Sequence, residues 1–469
     1  MENKLQRKYG LFTAICMVVG IVIGSGVFFK ADGILELTGG DMPMGILAWV
    51  IGGAIMLTCL LTFCVMGQRY EKVNGLVDYA EATVGPKFGY YMGWFTTTIY
   101  YPAMTSVLAW VSAMYTMDFL ICVNPDFPMQ QLLNPATGEV AANIAYGPEC
   151  LLIAVFYLCA IYAINALSPK MAGKLQTSTT VIKMIPLVLM MVVGVIYGLV
   201  SSNGTLAENF SNQAVTPVGS GALFAAICST AFAYEGWIIA TAINSEIKDS
   251  KKNLPRALLI GGIIIASTYI LYYVGVTGGA SSQQLIQKDV NATVAFTNIF
   301  GNAVGNILKL FIVISCLGTT NGLMLACTRS MYSLAARGYG PAPKTFGQVD
   351  RHTDMPHNSA VIALLIVCAW LVYFVGGLQL GWAGEYGFDS SELPIITIYA
   401  MYLPIMIQWM RKEKDQGILR RFVMPMLTIC GSVFMIVACA IGHKMGCVYY
   451  LIVFALIMGL GALYQKKKM

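Results

Sequence analysis

The chain has 469 residues, 57% of them hydrophobic and only 11% charged, with a formal net charge of +6. A soluble domain carries about 25% charged residues, so this composition excludes a soluble globular protein and indicates a polytopic membrane protein. The basic excess lies in short loops between apolar segments and forms no nucleic-acid-binding pattern.

Twelve membrane spans are read from the apolar segments, at 10–36, 44–67, 88–119, 148–167, 175–200, 219–247, 256–279, 297–328, 358–376, 389–410, 422–441 and 447–465. No cleavable leader is expected, because Met1–Lys8 runs into a span that is too long and lacks a cleavage site. With the N-terminus inside, 24 Lys and Arg fall on inner segments and 2, Lys288 and Lys444, on outer loops. The remaining basic residues, Lys30, Lys183 and Lys309, fall within spans. The bias places both termini in the cytoplasm.

The first span contains Val19-Gly20-Ile21-Val22-Ile23-Gly24-Ser25-Gly26-Val27-Phe28. Each glycine costs a helix about 1 kcal/mol against alanine. In lipid a frayed backbone also leaves polar groups without water, so such a break survives only where protein or a wet cavity covers it. A half-helix starting at Gly24-Ser25-Gly26 aims bare N–H groups and a positive dipole end at a small anion.

The third span carries Tyr100, Tyr101 and Pro102, which read either as packing or as the wall of a polar cavity. The loop from Cys122 to Cys150 has four prolines, Pro125, Pro128, Pro135 and Pro148, and no basic residue. Most of the 13 cysteines lie in apolar spans and act as small hydrophobes. Cys122 and Cys150 flank this loop, and a disulfide between them is an open alternative.

In the fifth span Lys183 lies about six residues past the inner end, so about 9 Å deep at 1.5 Å per residue. It either snorkels to the inner headgroups or is an ammonium buried between helices that caps backbone carbonyls. Pro186 frees the carbonyl of Ile182, one turn back. The sixth span places Ser229-Thr230-Ala231-Phe232-Ala233-Tyr234-Glu235-Gly236-Trp237 mid-membrane. Glu235 is too costly to face lipid. It is either a structural carboxylate hydrogen-bonded in the bundle or a partner for a cationic group. Pro255, after Lys251, Lys252, Asn253 and Leu254, suits the first turn of the next helix. In the eighth span Ser315, Thr319, Thr320 and Asn321 are polar enough to line a cavity. Arg329 and Arg337 are expected as solvated interfacial charges, with a Glu246 pairing as the alternative. Spans eleven and twelve look like scaffold.

Two broken, polar-centred spans therefore open two blocks of five. An odd block length inverts the second copy, and paired interrupted spans point to a transporter site at the midplane. The expected organisation is all-α: residues 1–200 as inverted repeat one, 219–411 as inverted repeat two, and 420–469 as two scaffold helices with a tail. Catalytic chemistry is absent. The three histidines, His352, His357 and His443, form no His-Glu-x-x-His zinc motif, and no phosphate-binding glycine loop appears. No enzyme activity, metal or cofactor is expected.

Gly24-Ser25-Gly26, Lys183 in a Thr-x-x-Lys-x-x-Pro setting, and Phe232-Ala233-Tyr234-Glu235-Gly236-Trp237 with Glu246 and Leu254-Pro255-Arg256-Ala257 resemble the amino acid–polyamine–organocation superfamily. The chain is similar, over essentially its whole length, to the L-type amino acid transporters and bacterial serine/threonine-type exchangers. The resemblance implies the inverted five-plus-five, leucine-transporter-type fold with helices one and six unwound and two extra helices. It implies sodium-independent exchange of amino acids by alternating access in a cell inner membrane. Gly24, Ser25 and Gly26 would bind the substrate carboxylate, and carbonyls near Val22, Ile23, Phe232 and Ala233 its amino group. Tyr234, Glu235 and Gly236 complete the expected substrate site. Phe232 resembles the gate over the substrate. Lys183 occupies the region where sodium-coupled relatives hold a cation, and is similar to a lysine tying span one near Gly20 to span eight near Ser315. Tyr269 resembles a tyrosine that supports the unwound segment.

Glu235 stands where many neutral amino acid exchangers carry glycine or serine. An acid there, as in cystine and dibasic exchangers, would admit a cationic side chain or an amine. In animal relatives a cysteine of the loop between spans three and four bonds an accessory glycoprotein; no such subunit is expected here. A proton-coupled amino acid or polyamine importer, with Lys183 or Glu235 carrying the proton, is the alternative, and a channel or sensor on the same scaffold is a third class.

Overall fold

The computed structural model describes residues 7–70, 74–124, 147–211, 216–219, 221–286 and 292–465. Most of the proline-rich loop after Cys122, including Pro125, Pro128 and Pro135, lies outside the described residues. Among the described residues eleven helices are long and apolar enough to cross a membrane, and the pair Leu11–Val22 and Gly26–Leu37, bent by 47° at a short break, is apolar enough when taken together. The others are Met42–Arg69, Pro86–Val123, Pro148–Leu167, Pro169–Val200, Ala222–Ala242, Ser250–Gly279, Asn302–Ala335, His357–Gln379, Leu393–Lys412, Leu419–Ile441 and Met445–Leu463. They are called spans one to twelve in chain order, the bent pair being span one.

The starts of these helices follow from local chemistry. The Asp41 carboxylate accepts from Met44 N at 2.9 Å and caps span two, with Pro43 in its first turn. Span five begins at Pro169, not at residue 175, because Ser168 caps it and Pro169 fits its first position. Lys183 therefore lies 14 residues from the helix start, about 21 Å along the axis. Span seven begins at Ser250, so Pro255 is inside the helix rather than in its first turn. In span three, Thr96–Tyr100 forms a π turn just before Pro102. Pro102 has no N–H for the carbonyl of Thr98. The Trp370 indole donates to that carbonyl instead, at 2.8 Å.

Two groups of spans emerge from the packing. Spans one, two, six and seven lie against one another, with span seven along span two. Span eight lies along span three and against span five. Spans ten and eleven pair with each other.

The two ends of the bundle are fastened differently. At one end the segment before span one pairs in parallel with the residue after span six, Tyr9 with Ile247. Tyr9 N donates to Glu246 O at 3.0 Å, and Lys248 N to Tyr9 O at 2.9 Å. The Tyr9 hydroxyl donates to Pro169 O at 2.9 Å. Arg329 is buried here and pairs through both Nε and Nη2 with Glu246, so it is not a solvated interfacial charge. The reason is that span eight runs on to Ala335, which carries Arg329 into the bundle. Arg337 is also engaged, with Asp78 and Glu81. At the opposite end Lys30 of span one meets Glu392 at 3.1 Å, and His443 meets the same carboxylate at 2.9 Å.

Cys122 and Cys150 are both free thiols, so the disulfide between them is not formed. Cys150 is buried in span four, and the Cys122 sulfur lies 2.9 Å from the Lys309 ammonium of span eight.

Candidate functional site

Span one leaves helical geometry at Ile23, whose ψ is 88°, and resumes with Gly26. Gly24 N donates to Val22 O at 2.8 Å, a bond too short-ranged to continue the helix. Span six breaks opposite it. The α-helix ends at Tyr234, Glu235 is extended, and a tighter 3₁₀ segment runs from Trp237 to Glu246. Gly236 sits at φ +107°, a conformation open to glycine. A Cβ on Gly26 would stand 2.9 Å from Cα of Ala233, so the two broken spans touch backbone to backbone.

A small cavity lies at this junction. Gly24, Ser25 and Gly26 line it from span one, and Phe232, Glu235 and Gly236 from span six. Met104 and Leu108 of span three and Thr319 and Leu323 of span eight also line it, as do Ile21, Val22 and Ile239. The start of the second half-helix thus faces a buried hollow, where helix N–H groups and the dipole favour an anion.

Lys183 is fully buried and does not snorkel. Its ammonium donates to Gly20 O at 2.8 Å, Ile23 O at 2.5 Å and Ser315 O at 3.0 Å. Thr319 adds bonds to Gly20 O at 3.1 Å and Ile23 O at 3.3 Å. The Ser315 hydroxyl reaches Ile23 O at 3.3 Å and Gly24 O at 3.2 Å. An ammonium has three protons, and these carbonyls take all of them. The carbonyls released where span one unwinds are thereby satisfied without water.

Tyr269 does the same between the breaks. Its hydroxyl lies 3.0 Å from Val22 O and 2.9 Å from Ala233 O, tying span one to span six through span seven. Val22, Ile23 and Ala233 thus already accept protein hydrogen bonds, though a carbonyl has a second lone pair. Tyr234 is directed away from the cavity. Its hydroxyl donates to Trp49 O at 3.0 Å, and its ring packs on Trp49 and Tyr269. Phe232 lines the cavity and also a larger one towards the Lys30 end. The Lys30 ammonium stands 5.3 Å from the centre of its ring.

Glu235 is buried and accepts from the Tyr100 hydroxyl at 2.5 Å. Tyr399 of span ten is a second hydroxyl partner. The Tyr100 of the cavity-wall reading is therefore tied to the break in span six. The sequence reading omitted Thr319 as a partner of Lys183, and it omitted Tyr399. Each is an ordinary polar residue in an apolar span, and only the packing of distant spans gives it a role.

Two broken spans meeting at a cavity inside an all-helical membrane bundle make the architecture of a secondary transporter. The amino acid permease family model matches residues 9–463, and the chain belongs to that family, in the L-type-like branch of the amino acid–polyamine–organocation superfamily. It is 28% identical over 454 residues to the serine/threonine exchanger SteT of Bacillus subtilis, covering 95% of this chain and 94% of that protein. It is 25% identical over 448 residues to the Asc-type amino acid transporter 1 of Mus musculus, covering 94% and 78%. It is 23% identical over 363 residues to the cystine/glutamate transporter of Homo sapiens, covering 77% and 67%. It is a transporter and not an enzyme.

Proposed function

We propose that this protein exchanges amino acids across the membrane without sodium, by alternating access around the cavity between spans one and six. The observation that carries the reading is Lys183. Its fixed ammonium holds together, through Gly20, Ile23 and Ser315, the junction of spans one and eight. An ammonium on these carbonyls occupies the acceptors that a second cation would need. The relatives named as exchangers support the same reading.

In this reading Ser25 and Gly26, with Gly24, receive the substrate carboxylate at the start of the second half-helix. The remaining lone pairs of Val22, Ile23, Phe232 and Ala233 receive its amino group. Phe232 closes over the substrate from the Lys30 end, and Glu235 and Gly236 face its side chain. Spans one to five and six to ten form two inverted repeats, and spans one, two, six and seven rock against the rest. Both termini lie in the cytoplasm, by the 24-to-2 distribution of basic residues. The substrates are neutral amino acids and, through Glu235, cationic ones. No accessory subunit is part of the proposal.

The test is uptake of labelled serine and lysine by proteoliposomes. Exchange requires that uptake be stimulated by amino acid trapped inside and be indifferent to replacement of sodium by choline. Uptake that needs a sodium gradient, or that ignores internal amino acid, overturns the reading.

A further inference from the structure

The charge balance around Glu235 leads beyond simple exchange. The residue sits at the break of span six and lines the central cavity. Its titratable neighbours come from three other spans. They are Tyr100 of span three, Tyr399 and Tyr402 of span ten, and Cys59 of span two. All are groups that are neutral when protonated, and no basic side chain is among the groups acting on Glu235. Lys183, the buried cation of the same centre, is held by the carbonyls of Gly20, Ile23 and Ser315.

A buried carboxylate held by two tyrosine hydroxyls and the Gly236 N–H, all neutral donors, remains an uncompensated charge in a low-dielectric interior, which is costly. A compensating charge must therefore enter from the cavity. One further observation supports a proton here. The Tyr402 hydroxyl, which feels the Glu235 charge, is buried without a hydrogen-bond partner and so adds an unused acceptor to this centre.

We propose that the positive charge neutralising Glu235 is part of the cargo: a proton when a neutral amino acid occupies the cavity, and the side-chain cation of a dibasic amino acid when one does. The proposal rests on the exchange reading above. The balance is explicit. Serine leaves with Glu235 as the carboxylic acid, and the proton is released with it on the far side. Lysine then enters against the carboxylate. Each lysine carried in moves one proton out, so the exchange of lysine for serine carries no net charge. Serine–serine exchange moves a proton in each direction and changes no pH.

The experiment uses the intact protein in proteoliposomes loaded with serine and a trapped pH-sensitive dye, with lysine added outside. The expected result is a rise of internal pH matched to lysine uptake proton for lysine, at a rate unaffected by an imposed potassium–valinomycin potential. Glu235→Gln, fixed in the neutral form, is expected to lower the ratio of lysine–serine to serine–serine exchange about tenfold or more, as loss of a buried charge partner does. Lysine entry at constant internal pH, accelerated by an inside-negative potential, overturns the proposal. So does failure of lysine to enter at all. In both cases, serine–serine exchange stimulated from the far side leaves the exchanger reading standing. Absence of any amino acid exchange removes that reading, and this proposal with it.

Discussion

Arg329 and Glu246 form a buried ion pair that joins the C-terminal part of span eight to the end of span six, each residue 1% exposed. The same Glu246 presents its backbone carbonyl to the amides of Lys8, at 2.8 Å, and Tyr9, at 3.0 Å. One residue therefore fastens span eight, span six and the segment before span one at a single point. A substrate path to that end of the cavity must undo it.

Glu246→Gln leaves the Arg329 guanidinium buried with its partner charge gone. Breaking a buried pair costs about 3–5 kcal/mol, more than the pair's own net contribution, because the remaining ion is uncompensated. The expected outcome is faster amide hydrogen exchange at Tyr9 and Lys248, whose N–H groups bond across this seam. Exchange at the core of span two should not change. Unaltered protection at Tyr9 and Lys248 would show that the pair does not hold the seam.

Lys183→Ala removes the charge that organises the unwound segment, while the walls of the cavity stay in place. Turnover should fall at least tenfold, a barrier increase of about 1.4 kcal/mol or more, with little change in equilibrium binding of substrate. Single-turnover and equilibrium-binding measurements on reconstituted protein separate the two. Unchanged turnover would leave Lys183 with a packing role alone.

Gly26→Ala places a methyl group 2.9 Å from Cα of Ala233, a backbone atom that has no rotamer by which to move aside. The broken spans must part, and the cavity they enclose loses its shape. Substrate binding should weaken by about tenfold or more, with overpacking of about 1–3 kcal/mol as the cause. Isothermal titration checks it. Gly33→Ala, in the same half-helix but with open space around it, is the control and should leave binding unaltered.

The Lys30 end responds to pH through Glu392 and His443. The hydrogen bond to Glu392 holds the His443 pKa above its ordinary value, against the opposing effect of burial. Burial works against ionisation of Glu392, but the His443 bond and the Lys30 charge outweigh it and bring its pKa to about 2. The His443 contribution to stability is complete below its unfolded pKa of about 6.5 and is lost as pH rises through the raised folded value. The Glu392 contribution is present above its unfolded pKa of about 4.3 and is lost as pH falls towards about 2. Thermal stability should therefore hold a plateau in mildly acidic solution and decline on the alkaline side. His443→Gln should flatten that alkaline decline. An unchanged pH profile in the variant would remove His443 as its source.

The two breaks were legible because glycine clusters and a mid-membrane carboxylate violate what a continuous lipid-spanning helix permits. Gly24–Gly26 and Phe232–Gly236 announce themselves locally, and so does Lys183 as a charge where none is tolerated. What each group touches was not legible. Tyr100 lies 135 positions from Glu235, Lys30 lies 362 from Glu392, and nothing in the residues between prescribes either meeting. Arg329 was misread because its basic neighbourhood resembles a helix exit, whereas span eight continues to Ala335. The early start of span five was written in Ser168-Pro169 but masked by the polar residues Lys170, Lys174 and Gln176 that follow.

The ammonium of Lys183 is joined covalently to the chain it organises. A dissolved ion in its place would come and go with the salt on either side, and its gradient would push the cycle in one direction. A tethered group cannot be diluted or depleted. On the proposed reading any drive on the exchange arrives with the cargo itself, and the protein redistributes one solute against another.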